Sequence, residues 1–205
     1  MDGVQAGWLS SARRIDSPNF GPRPDSEVPS LVVLHSISLP PGQYGGDAIE
    51  RLFTNRLDPR AHPYFEALDG LQVSAHFLIR RDGELLQFVS CDERAWHAGR
   101  SSFQGRDNCN DYSIGIELEG LEGESFEPVQ YEVLAELLGA LRAAYPITAV
   151  VGHEHVAPGR KLDPGPGFAW RELAERLAWP REQFPFLADA SSAQYGPLRA
   201  DRDIP

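Results

Sequence analysis

The sequence predicts an α/β protein with one central mixed β-sheet flanked by helices. Three observations predict it. Short apolar, β-branched runs are interleaved with segments of helical period, and two of the runs are joined by an Asp-Gly turn. The chain of 205 residues, 41% of them hydrophobic, is also long enough to bury one core.

The first thirty residues hold Pro18, Pro22, Pro24 and Pro29 without periodicity, and are expected to lie on the surface as irregular chain. "LVVL" (31–34) is a continuous apolar run that suits a strand buried on both faces, with His35 at its C-terminal end. "SLPPGQYGG" (38–46) has loop composition. Its Gly42, Gly45 and Gly46 suggest a movable lid that, with "DPRAHPYF", follows the strand end. "DAIERLFTNRL" places Ile49, Leu52 and Phe53 at helical spacing behind Asp47, a candidate cap.

Ser74–Arg80 and Glu84–Val89 read as a hairpin around Asp82-Gly83. "YSIGIELEG" (112–120) is a strand whose alternation sends Ile114, Ile116 and Leu118 to one face. Ser113, Gly115, Glu117 and Glu119 go to the other. Two acids on one strand face require a reason. Residues 127–145 form the longest predicted helix, with Pro128 suited to its first turn and Pro146 just past its end. A short strand (149–152) and a last helix (168–178) follow, so residues 1–180 are expected to form the domain. Residues 181–205 are expected to be an irregular or partly disordered tail.

A formal net charge of −11 and the lack of any Lys/Arg-rich stretch argue against nucleic acid and anionic membrane as partners. The N-terminus has no apolar run that would make a signal peptide or anchor, so the cytoplasm is the expected compartment. Cys91 and Cys109 are too few for a disulfide framework and are expected to be buried thiols.

Chemistry concentrates in "GHEHVAPGRKLDPG" (152–165), which packs His153, His155, Lys161 and Asp163 among glycines and prolines. A hydrolytic zinc site takes three protein ligands and keeps one position open. Two sets fit. His153 and His155 at strand spacing would share a face and join His35; alternatively His153 joins His35 and Asp163, swung back by the "APGRKLDPG" loop. Spacing leaves both open. Of the other histidines, His76 is mid-strand and reads as a hydrogen-bonded core residue, while His62 and His97 suit a groove wall.

With these residues in view, the sequence resembles the zinc N-acetylmuramoyl-L-alanine amidases of the peptidoglycan-recognition-protein superfamily, in particular the cytosolic amidases of 1,6-anhydro-muropeptide recycling. The resemblance runs from "GWLSSARRIDSPNFGPRP" through "LVVLHSISLPPGQYGG", "VSAHFLIRRDGELLQFVS", "RAWHAG" and "GRDNCNDYSIGIELEG" to "GHEHVAPGRKLDPGPGFAW". It covers about residues 8 to 178.

It implies one Zn²⁺ per chain on His35, His153 and Asp163, with His155 beside the site, where relatives more often carry Asp or Asn. It implies Glu117 as general base and then acid, and Lys161 as the stabiliser of the oxyanion. Trp96, His97, Ser36 and Asn108 are the implied substrate contacts. Ser36 stands where relatives usually have Asn, and Gln72 and Asn108 where relatives carry arginines. The implied partner is a small muropeptide, and the chain is expected to act as a monomer.

Overall fold

The computed structural model describes residues 3–24 and 27–187. A six-stranded mixed sheet forms its centre. In chain order its strands are β1 (Arg13–Arg14), β2 (Leu31–Ile37), β3 (Phe77–Ile79), β4 (Leu85–Gln87), β5 (Ser113–Glu119) and β6 (Ala149–Gly152). Across the sheet they run β6-β2-β5-β3-β4-β1. All neighbours are parallel except the hairpin pair β3 and β4. That pair turns at Gly83, whose φ of +88° is open to glycine at no steric cost.

Helices cover both faces. They are α1 (Ala48–Phe53), α2 (Pro63–Glu66), α3 (Pro128–Ala144), α4 (His153–Val156) and α5 (Trp170–Leu177). Pro128 occupies the first turn of α3, and Glu127 and Gln130 close a capping box there. Asp47 precedes α1 but makes no side-chain cap; its carboxylate pairs with Arg51 instead.

The alternation in β2 and β5 decides what each face holds. Val32, Leu34, Ile114, Ile116 and Leu118 pack against Leu134, Leu137, Leu138 and Leu141 of α3 and Leu173 of α5. Each of those four α3 leucines is fully buried, and truncating one to alanine costs about 2–5 kcal/mol. The opposite face carries Leu31 and Val33 against Val156 of α4, and Leu78 and Leu86 against Ile49, Phe53 and Phe65 of α1 and α2. His35, Glu117 and Glu119 belong to this second face by the same alternation.

The N-terminal segment does more than lie on the surface. Arg13–Arg14 pair with Leu86–Gln87 as an edge strand. Asn19 is buried and donates to Val73 O, while the Arg23 guanidinium donates to the carbonyls of Cys91, Asn110, Asp111 and Ser113. Isolated anchors of this kind have no periodicity to betray them.

The described part of the tail also packs. Arg181–Gln183 form a 3₁₀ turn beside β6, Gln183 donates to Ile147 O, and Phe184 is buried in the α3–α5 core. Residues 188–205 lie outside the described residues. Among the described residues no helix is long and apolar enough to cross a membrane.

Candidate active site

Parallel pairing places the site at the C-terminal ends of β2, β5 and β6, where α/β proteins gather their ligands. Glu117 stands in register with His35, and Gly152 with Leu34, so His153 comes level with His35 one residue later. There the chain leaves the sheet and becomes α4. The loop after α4 returns to it, because Glu154 N–H donates to Asp163 O at 2.9 Å.

Three donor atoms converge. His35 Nδ1 lies 3.0 Å from His153 Nδ1 and 3.0 Å from Asp163 Oδ2, and His153 Nδ1 lies 3.1 Å from Asp163 Oδ2. All three residues are buried, and they form the metal-competent His/Cys/Asp/Glu group found among the described residues. His153 Nε2 is 3.1 Å from Ala98 O, and a carbonyl only accepts, so that nitrogen is a donor and Nδ1 is the one that faces His35 and Asp163. Burial, and next the neighbouring His153, lower His35 to about 4, which leaves its ring neutral at pH 7. Burial alone would raise the Asp163 carboxyl, but its contacts with His153 and His35 outweigh this and hold it below the usual carboxylate range.

Two imidazole nitrogens and a carboxylate oxygen at this spacing share too few protons to satisfy one another. The spacing is close to the ~3.3 Å edge of a tetrahedron with zinc bonds of about 2.0–2.1 Å. The donor set fits Zn²⁺.

Glu117 is buried, and its Oε2 has no hydrogen-bond partner. Burial, and then the Asp163 charge, push its carboxyl well above the usual range, with Lys161 pulling it back. Lys161 is half-buried on the loop between α4 and Asp163, its N–H held by Ala157 O.

His155 does not join the group. Its Nδ1 accepts the Gly152 N–H at 2.8 Å, and its ring stacks on Phe186 at 4.2 Å. The same-face expectation presumed a continuing strand. In a helix, positions i and i+2 point about 200° apart.

Asn108 takes φ +57°, a conformation that asparagine tolerates, and spends its amide on Arg94 and Asp111. Ser36 Oγ is buried without a hydrogen-bond partner, Gln72 is exposed, and Trp96 is half-buried with its backbone N–H on Ser74 Oγ. His97, expected on the groove wall, has ring nitrogens at hydrogen-bond distance from His35 and Ser113 instead.

The loop expected to act as a lid is tied down. Gly45 N–H donates to Glu119 Oε1, Tyr44 O–H donates to Glu124, and the Arg81 guanidinium covers the Tyr44 ring at 4.4 Å. Sequence reasoning missed Arg160, which donates to Ala98 O beside His153, and Asn110, whose Oδ1 accepts the N–H groups of His97 and Ala98. Neither residue carries a spacing signal. Gly115, a glycine inside a strand, was the one available hint of a close approach there.

Residues 25–166 match the model of the N-acetylmuramoyl-L-alanine amidase family. The chain belongs to this family. Among relatives of the amidase, the 1,6-anhydro-N-acetylmuramyl-L-alanine amidase AmpD of Citrobacter freundii is 57% identical over 169 residues, 82% of this chain and 90% of that protein. A crystal structure of a selenomethionine AmpD derivative superposes with a TM-score of 0.83 at 53% identity, covering 85% of the amidase and 98% of that chain. The Escherichia coli amidase AmiD, solved with anhydro-N-acetylmuramic acid-L-Ala-D-γ-Glu-L-Lys, superposes at 0.54 with 31% identity, covering 75% and 60% of the two chains.

Proposed function

We propose that the protein hydrolyses the amide between the lactyl group of 1,6-anhydro-N-acetylmuramic acid and L-Ala of the stem peptide, as a zinc enzyme of cytoplasmic peptidoglycan recycling. The observation that carries this reading is the convergence of His35, His153 and Asp163 within hydrogen-bond distance, with a buried carboxyl in register beside them. The relatives named above support the substrate class.

His35, His153 and Asp163 would hold one Zn²⁺ per chain, with residues 1–180 acting as the amidase domain of a monomer. Bound zinc supplies Lewis-acid polarisation of the amide carbonyl and a nucleophilic water at neutral pH. Glu117 accepts a proton from the attacking water and passes it to the departing L-Ala nitrogen, so water adds across the broken C–N bond. Its unpaired Oε2 is free for that proton. Lys161 sets a positive charge against the developing oxyanion, a contribution of roughly 3 kcal/mol for one donor. Trp96 walls the groove that receives the sugar or peptide.

The test combines zinc content with turnover of anhydro-muramyl tripeptide for wild type, Asp163→Ala and His155→Ala. Asp163→Ala is expected to lose both and His155→Ala to keep both. Metal loss in His155→Ala instead would overturn the ligand assignment, and a zinc-loaded but inactive wild type would point to a binding module.

A further inference from the structure

We infer that His97 is a positioning residue that sets the ring orientation and tautomer of His35, through a chain of hydrogen bonds ending at Ser113. The inference rests on the metal centre proposed above. His97 Nδ1 is 3.0 Å from His35 Nε2, and His97 Nε2 is 3.1 Å from Ser113 Oγ.

The protons follow in order. A His35 ring that offers Nδ1 to a metal carries its hydrogen on Nε2, and donates it to His97 Nδ1. The His97 hydrogen is then on Nε2, directed at Ser113 Oγ. Both nitrogens of His97 are thereby committed, and none is left to grip a substrate.

Local structure is built around this ring. A Cβ at Gly115 would lie 2.4 Å from the His97 ring, so His97 rests on β5 only because residue 115 has no side chain. Asn110 Oδ1 accepts the backbone N–H groups of both His97 and Ala98, fixing that dipeptide. The same dipeptide serves both imidazole ligands. The His97 side chain meets His35, and Ala98 O accepts from His153 Nε2 while Arg160 braces that carbonyl at 2.7 Å.

Partners behind metal-bound histidines commonly change metal affinity by about 10–100-fold when removed. The experiment measures zinc affinity by chelator competition, the visible spectrum of the Co²⁺-loaded protein, and kcat and KM at saturating zinc, for full-length wild type, His97→Ala, His97→Asn and Ser113→Ala. His97→Ala is expected to weaken zinc binding about 10–100-fold and shift the Co²⁺ bands, with KM nearly unchanged. His97→Asn keeps an acceptor near the Nδ1 position and is expected to restore most of the affinity. Ser113→Ala removes one oxygen, and a smaller loss of the same kind is expected even if His97→Ala does not fold.

Unchanged zinc affinity in Ser113→Ala and in the foldable His97 variants, or a raised KM as the main effect, would overturn the inference and return His97 to substrate contact. A wild type that binds no zinc would overturn the metal centre itself, a result separable from the first because it appears before any substitution.

Discussion

Glu117 and Glu119 sit two residues apart on the same face of the same strand, both buried, yet their surroundings are opposite. Glu119 accepts from Gly45 N–H at 2.6 Å, from Arg81 N–H at 3.2 Å and from Arg80 at 3.3 Å. Arg80 in turn holds Gly46 O and Glu50. Glu117 has an oxygen without any partner, a neighbouring carboxylate in Asp163 and one cation, Lys161, to offset it. A buried acid whose bonds are all made holds the fold together. A buried acid left short of partners is a strain that the fold tolerates for chemistry.

Substitutions should separate the two. Glu117→Gln is expected to lower turnover by roughly 10²–10⁴-fold. It should leave the melting temperature equal to or above wild type, checked by steady-state kinetics and calorimetry on the same sample. Glu119→Ala should do the reverse. Arg80 keeps Glu50, but Gly45 N–H, Arg81 N–H and one Arg80 nitrogen lose their acceptor, which costs about 1–3 kcal/mol, or roughly 2–12 °C in melting temperature. Activity measured well below that transition should fall far less than in Glu117→Gln. If Glu119→Ala instead destroys turnover in a protein that still melts normally, the division between the two acids collapses.

Lys161→Ala sharpens the Glu117 side. A loss of roughly 3 kcal/mol, about a hundredfold in kcat with KM little changed, is expected. A raised KM with kcat intact would move Lys161 from the oxyanion to ground-state binding.

The comparison also has a pH floor. His76 is fully buried, and burial, followed by the Arg23 charge, lowers it to about 3. The unfolded chain therefore takes up a proton near pH 6.5 that the folded protein refuses. The stability from neutral His76 is present above pH 6.5 and is lost as pH falls toward 3, at about 1.4 kcal/mol per pH unit. Urea midpoints of wild type should fall more steeply than those of His76→Gln across this window. Parallel curves would show that His76 is not the group responsible.

Periodicity made the sheet and the long helix legible. The alternation in β5 predicted which residues share the acidic face, and Asp82-Gly83 marked the hairpin, although its strands proved shorter, Phe77–Ile79 and Leu85–Gln87. The ligand set stayed open because a four-residue strand hands over to a four-residue helix between Gly152 and His153, and no pattern that short distinguishes the two periods. The contacts of His97 with His35 and Ser113 were not legible for a related reason. Its meaning depends on a ring lying over Gly115, a contact between chain segments that local reading cannot supply.

The two edges of the sheet matter for a property unrelated to catalysis. The sheet ends on one side in a two-residue, doubly charged strand, Arg13–Arg14, and on the other in β6, beside which Arg181–Gln183 is laid. Short, charged or covered edges are poor templates for a second chain. These two segments thus guard the sheet edges against edge-to-edge self-association. Removing either segment would first be felt as stickiness at high concentration, with His35, His153 and Asp163 still in place.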